Sequence, residues 1–481
     1  MSISNHFELQ WESPFLDYYW CHHFLHEVYE KGIVARVLGS QEEKWFATND
    51  ETGFQFYLEE ESLAVMAEVG FRFLGDRHRV REFALLVNQL KERVDEIPWP
   101  ETTVFDDTNI GVLEEMFHEA VGLHLCTQPH LMSKVAEELT RRLPAIVAEE
   151  ERAEYVAKMI TPDRLPEPLR EQKEWLEGLF DLVSKASSPD EREPFIHQHW
   201  QRWKYLTAGD SGRPVELAEL RERFEFDLSN LVTAKVQHDR LVKVESGIVS
   251  KEIETLEESA PSDIRDLCWA VRELGSLRFV TKQTWMKLWY CLEIWREQQA
   301  SRLGQSVSGY LQVEINGGRI GGKEERNSYV LLRNGELASL FYNGLEVSIR
   351  KELLGAVPEW DGSPLHGTGG YQGVVSGRAL VIGWGDDYRE KGKLVGPATV
   401  LVVPQTTPQY IGMLTRCAAL VTDEGGLAGH ASIICRELKI PAVIGTRIAT
   451  KVICDGDEII LDGNAGIVEV LKLIENDEVQ N

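Results

Sequence analysis

VTDEGGLAGHASIICRELKIPAVIGT, residues Val421 to Thr446, is the stretch whose periodicity changes most sharply along the chain. The apolar run Ala418 to Thr422 predicts a buried strand. Asp423, Glu424, Gly425 and Gly426 then break it as a turn, and Ala431 to Leu438 places apolar residues at helical spacing until Pro441 ends the helix. His430 therefore falls at or just before a helix N-terminus. Neutral imidazole is a competent nucleophile near neutral pH. A phosphoryl group formed on it would meet free backbone N–H groups and the positive end of the helix dipole. Gly425, Gly426 and Gly429 clear side chains from the approach of a bulky donor. Taken alone, the histidine fits a helix cap or a core residue equally well.

The neighbouring residues separate these readings. Gly425, Gly426, His430, Ala431, Ser432, Ile433, Arg436, Leu438, Ile440, Pro441, Ala442 and Gly445 stand at the spacing of a longer pattern. That pattern resembles the phosphohistidine domain of the phosphoenolpyruvate-utilising enzymes, and the resemblance covers Leu365 to Val479. One departure is visible. Where the family carries Thr and then Ser or Cys before the histidine, this chain has Ala428 and Gly429, which removes a hydroxyl able to hydrogen-bond phosphoryl oxygens.

Outward from this stretch, 481 residues call for two or three domains. A formal net charge of −27 argues against nucleic acid and anionic membranes as partners, because phosphate backbones are held by basic patches. The seven cysteines form no CxxC pair, so neither a disulfide framework nor a zinc ribbon is expected. The first residues lack a basic and an apolar region of the signal-peptide kind, and the chain reads as cytoplasmic. His22 and His26 stand four apart, as zinc ligands can, but no third ligand follows at a recognised spacing, and no metal site is assigned.

The expected architecture is multidomain α+β. A large, mainly helical domain (1–304) comes first, then a β-containing connecting region (305–360), a Gly-rich linker (361–370) and a β/β/α domain (371–481). In the first domain, a short helix is expected over Leu16 to Tyr29 and β structure over Ile33 to Val37 and Trp45 to Leu58. Val80, Phe83, Val87, Leu90, Val94 and Ile97 mark an amphipathic helix ended by Pro98. Further helices are expected over Asn109 to Cys126, Pro129 to Glu149, Glu167 to Ala186, Glu193 to Leu206, Val215 to Arg223, Leu228 to Glu257, Asp263 to Glu273 and Thr281 to Leu303. Strands follow at Tyr310 to Ile315, Ser328 to Leu332 and Leu337 to Tyr342. In the last domain, strands are expected from Gly377, Thr399, Ala418, Ala442, Glu458 and Gly466, with hairpin turns at Asp455-Gly456 and Asp462-Gly463.

The resemblance implies a swivelling domain that takes a phosphoryl group on His430, with Arg436 as a partner for its oxygens and Thr422, Gly425, Gly426 and Gly429 shaping the loop. It also implies ATP and Mg2+. The chain has neither a P-loop nor a GxGxxG dinucleotide fingerprint, and its helical part does not read as an ATP-grasp domain, so these ligands are expected on a separate ATP-grasp subunit. No phosphoenolpyruvate barrel fits after the last domain. The arrangement is similar to rifampicin phosphotransferase and phenylphosphate synthase, in which a helical domain or a separate subunit handles a small-molecule acceptor. His124, His199, Trp203, Trp285 and Trp289 are the candidate acceptor residues, although aromatic stripes at helical spacing are more often core. Two rival readings stay open: a scaffold that keeps the fold without turnover, and a self-sufficient kinase.

Overall fold

The computed structural model describes residues 7–13, 32–38, 45–50, 53–99, 107–127, 138–139, 141, 167–185, 187–207, 214–247, 260–304, 328–333, 336–341, 360–383, 386–406, 410–425 and 430–472. Two compact units form from discontinuous segments. The first takes Met1–Pro162, Lys204–Val215 and Thr255–Val357; the second takes Asp163–Trp203, Glu216–Glu254 and Pro358–Asn481.

In chain order, the first unit opens with β1 (Phe7–Ser13), α1 (Ile33–Leu38), β2 (Trp45–Asp50), β3 (Gly53–Glu59), α2 (Glu60–Leu74), α3 (Arg77–Asp95) and α4 (Asp107–Leu125). The chain then enters the second unit for α5 (Glu167–Ser184) and α6 (Pro189–Trp203), and again for α7 (Leu217–Ser229) and α8 (Leu231–Gly247). It returns to the first unit for α9 (Ser262–Leu303), β4 (Ser328–Arg333) and β5 (Glu336–Phe341).

Helix α3 follows its apolar spacing. Val80, Phe83, Val87, Leu90 and Val94 are all buried, and the Asp76 carboxylate caps the helix by accepting from the N–H groups of His78 and Arg79 at 3.1 and 3.2 Å. Two expectations are corrected here. Ile33 to Val37 is a helix, not a strand. Ile33, Val34 and Leu38 are buried, and a Cβ on Gly122 of α4 would lie 2.9 Å from Ile33, so close packing on α4 overrides β-branched propensity. The two helices expected at Asp263 to Glu273 and Thr281 to Leu303 are one 42-residue helix, α9. Its middle carries no proline, and Leu274, Gly275, Leu277, Phe279 and Val280 are all buried, so packing carries the helix through. Gly304, at φ +69, then ends it as a left-handed cap.

The sheet of the first unit is antiparallel in the order β1-β3-β2-β4-β5. Strands β4 and β5 thus complete a sheet begun by the first sixty residues, with Trp45 opposite Leu332 and Asn49 opposite Ser328. Nothing in the local pattern of 305–360 foretold that pairing. The readings of Leu16 to Tyr29, of Tyr310 to Ile315, of most of Pro129 to Glu149 and of the His22/His26 pair lie outside the described residues.

The last segment of the second unit holds β6 (Leu365–His366), β7 (Thr368–Tyr371), β8 (Val374–Val381), α10 (Tyr388–Lys393), β9 (Thr399–Val403), α11 (Ile411–Leu414), β10 (Ala419–Thr422), α12 (His430–Leu438), β11 (Ala442–Ile444), α13 (Ala449–Val452), β12 (Glu458–Asp462) and β13 (Ile467–Lys472). The sheet order is β6-β13-β12-β8-β9-β10-β11-β7, with β8, β9, β10 and β11 parallel and the flanking strands antiparallel. The outermost strands, β6 and β7, are joined by Gly367 alone, so the sheet curls until its ends meet. Val400, Val402, Ala419, Val421, Val443, Ile459, Leu461 and Val468 form its core.

That closure corrects the reading of 361–370 as a linker. Residues 365, 366 and 368–371 are strand, and the glycines serve close approach, not looseness. A Cβ on Gly369 would lie 2.2 Å from the Gly463 carbonyl oxygen, and one on Gly367 would lie 2.6 Å from that of Ile444. Asp462-Gly463 does turn the β12–β13 hairpin. Asp455-Gly456 instead links α13 to β12, with Gly456 at φ +89.

Candidate functional site

The site is built at the C-terminal edge of the parallel strands, where β10 ends at Thr422 and α12 begins at His430 before the chain returns in β11. In parallel α/β sheets this edge is where ligands bind, because loops and helix N-termini face outward there. The first N–H groups of an α-helix have no acceptor within the helix, and a helix N-terminus favours an anion. Gly426 to Gly429, and the His430 side chain, lie outside the described residues.

The inner half of the loop is held by a hydrogen-bonded clasp. Thr422 is fully buried; its Oγ1 donates to the Glu424 carbonyl at 2.6 Å and accepts from the Gly445 N–H at 3.4 Å. The Thr422 carbonyl accepts from both the N–H and the hydroxyl of Thr446, at 2.9 and 3.0 Å. Asp423 accepts from the Thr450 N–H at 3.0 Å, from the Thr450 hydroxyl and from the Thr446 hydroxyl. Its carbonyl accepts from the N–H of Arg447, whose φ of +72 is left-handed. Burial raises the Asp423 pKa, and the Thr450 hydrogen bonds oppose that shift.

Two glycines let these segments interlock. Gly425 has φ +112, and a Cβ there would lie 2.7 Å from Ile444. Gly445 has φ +78, and a Cβ there would lie 2.5 Å from the Gly425 carbonyl oxygen. The sequence reading picked out Thr422 and Gly425 but missed Asp423, Thr446 and Thr450 as a unit. A Gly-Thr step after a short apolar strand was the only local sign.

Helix α12 buries Ala431, Ser432, Ile434, Cys435 and Leu438. It ends in a Schellman arrangement, with the Ile440 N–H on the Cys435 carbonyl at 2.8 Å, the Lys439 N–H on that of Arg436 at 3.2 Å, and Lys439 left-handed at φ +55. Arg436 stands in the last turn. Six residues of α-helix separate it from His430 by about 9 Å along the axis and about 240° around it. The backbone therefore puts these two residues at opposite ends of the helix on different faces. Burial lowers the Arg436 pKa to about 10, opposed by attraction to Glu437 and Cys435. Burial raises Glu437 to about 7, opposed by Arg436.

The five candidate acceptor residues divide between the two units. His124 on α4 and Trp285 and Trp289 on α9 belong to the first. His124 Nδ1 lies 2.9 Å from Thr281 Oγ1, and its ring meets Trp285 at 6.4 Å. Desolvation, together with Arg278 and Lys282, holds this imidazole well below its usual pKa, so it is neutral at pH 7. Trp285 and Trp289 are buried and pack on Phe117 at 6.4 and 5.4 Å between ring centres.

His199 and Trp203 on α6 belong to the second unit and are also buried. His199 Nε2 lies 2.7 Å from Glu171 Oε1, which Arg223 also contacts at 2.8 Å, and Trp203 donates to Glu174 at 3.3 Å. Both groups are helix-packing cores with polar tips. Glu171, Arg223 and their partner Trp175 went unremarked in the sequence, because each lies on a different turn or helix.

Among the described residues no three His, Cys, Asp or Glu side chains gather as metal ligands, and no helix is long and apolar enough to cross a membrane.

A mixed sheet whose central crossover helix begins with a histidine at the strand edge defines the class. The family described as the PEP-utilising enzyme, mobile domain, matches residues 395–466 of this chain. Similar curated proteins include a probable phosphoenolpyruvate synthase of Archaeoglobus fulgidus, 45% identical over 105 residues, covering 22% of this chain and 13% of the relative. The phosphoenolpyruvate synthase of Aeropyrum pernix is 41% identical over 113 residues, covering 24% and 13%. The uncharacterized phosphotransferase YvkC of Bacillus subtilis is 34% identical over 130 residues, covering 26% and 15%. The matched segments thus span only a small part of these relatives.

Proposed function

We propose that this chain is a phosphotransferase component in which His430 accepts a phosphoryl group and passes it to a small-molecule acceptor. The observation that carries this reading is the placement of His430 as the first residue of α12, at the C-terminal edge of β10, inside the segment that matches the family. An imidazole nitrogen there can attack a phosphorus atom while helix N–H groups receive the developing negative charge. Thr422, Gly425 and the clasp from Asp423 to Thr446 and Thr450 hold the start of the loop. Arg436 stands in the last turn of the helix, away from His430.

The donor is ATP, with Mg2+ neutralising its phosphates. ATP and Mg2+ are held by a separate ATP-grasp subunit. In the dikinase-type half-reaction, the His430 nitrogen bonds to the β-phosphorus, the bond to the α-phosphate oxygen breaks and AMP departs. The γ-phosphoryl passes to water as inorganic phosphate. In the second half-reaction an acceptor oxygen or nitrogen replaces the imidazole on phosphorus and gives up its proton.

Ala428 and Gly429, which replace the family's hydroxyl-bearing residues, favour a second reading in which the fold serves as a non-catalytic scaffold. ATP labelled at the β or the γ phosphorus, in lysate of the source organism, distinguishes the two. Acid-labile label from β-ATP alone, absent in His430→Ala, is the expected result. No label at either position, while an active family member labels in parallel, would sink the carrier reading in favour of the scaffold.

A further inference from the structure

We infer that the body carrying the phosphoryl group is larger than the histidine domain: helices α5 to α8 are built onto it and travel with it. This rests on the reading of His430 as a carrier. The helices are separated from the histidine domain in sequence by all of 255–357, yet they belong to the same compact unit.

Helix α8 buries Ala234, Gln237 and Leu241 along one face. From that face Arg240 donates to the Thr415 carbonyl at 3.1 Å and Gln237 to the Gly412 carbonyl at 3.4 Å. These carbonyls lie in and just after α11, where a helix of four residues leaves its acceptors without intrahelical partners.

Arg416 completes the joint from the other side. It donates to the carbonyls of Gly412 and Gly392 at 3.0 and 2.8 Å, and its guanidinium lies 5.8 Å from the ring centre of Phe226 on α7. Burial lowers the Arg416 pKa, and Asp227 of α7 opposes that shift by attraction. Asp227 is itself held by the Trp175 indole N–H at 2.8 Å. Opening this joint at each turnover would take Arg240 from the Thr415 carbonyl and Gln237 from that of Gly412, and would part Arg416 from Phe226 and from the attraction of Asp227. Two arginines would each lose a favourable contact at once, which resists separation.

The test uses the full chain with Cys21 and Cys454 replaced by serine and cysteines placed at Gln237 and Gly412. A short bis-maleimide cross-linker then fastens α8 to α11. Loading of His430 from β-labelled ATP, and discharge of that label in lysate, are expected at rates within about twofold of the uncross-linked protein. A tenfold loss on cross-linking, with the uncross-linked variant active, overturns the inference. If wild type takes up no label, the carrier reading fails. The rigid body is then judged by spin labels at Val232 and Leu394, both exposed. One narrow distance distribution, unchanged by nucleotide, upholds the joint, and two populations refute it.

Discussion

The helical core of the first unit and the curled sheet of the second use the same kinds of residue to opposite ends. In the first, histidines and tryptophans recur at helical spacing and are packed inward: Trp285 is 1% exposed, and His118 is 4% exposed. In the second, one histidine stands where a strand gives way to a helix, and glycines let neighbouring loops close on each other around it. On the reading proposed above, the functional residue is marked less by its type than by where the backbone changes direction.

The comparison breaks most visibly at Trp285. Trp285→Ala should destabilise the first unit by about 3–5 kcal/mol through the cavity it leaves, read by denaturant unfolding. An activity loss at unchanged stability would mean that the stripe lines a site after all. On the other side, Gly369→Val should cost roughly 3 kcal/mol or more, because its side chain would meet the Gly463 carbonyl. Gly304→Ala, at a left-handed position with nothing within 4 Å of the added carbon, should cost only about 1–2 kcal/mol. If both substitutions shift the midpoint equally, close approach is not what the sheet's glycines provide.

Smaller effects come from charge. Burial alone would raise the Glu171 pKa, but Arg223 and His199 outweigh it and hold the carboxyl at about 2, against an ordinary 4.5. Between those values the unfolded chain binds more protons, so this group stabilises the fold above pH 4.5 and loses that contribution as pH falls toward 2. Unfolding between pH 5 and 3 should show a slope on the order of 2 kcal/mol across that window, flattened in Glu171→Gln. Glu437 carries the opposite sign. Its folded pKa of about 7 exceeds the usual 4.5, so the folded state binds more protons between them and stability falls as pH rises through that range. Glu437→Gln should therefore raise the melting temperature at pH 8 by a few degrees and leave it nearly unchanged at pH 4. A lower melting temperature at pH 8 would show that attraction to Arg436 outweighs burial.

Much of this was legible in order along the chain, and some was not. The strand, turn and helix around His430 could be read because alternating and helical periods are local, and so could Val80 to Val94 on α3. The Gly-rich run at 361–370 misled, because glycine permits both a loose linker and a close strand pair, and only the neighbour decides which. Ile33 to Val37 misled for a related reason: β-branched residues favour strands until packing on Gly122 supplies a better burial. The break expected within α9 had no proline behind it, only a change in apolar rhythm that burial on several sides explains.

By itself, then, the sequence determined the α+β class, the histidine at the head of a helix and the family that its spacing resembles, since each depends on residues within one or two turns of one another. Tertiary structure alone decided that strands β4 and β5 complete a sheet begun by the first sixty residues, that His124 and His199 belong to different units, and that α5 to α8 pack with the histidine domain. These are contacts between segments far apart in the chain. They are fixed by which apolar faces and unpaired backbone groups satisfy one another once the chain has closed, and no local pattern encodes that choice.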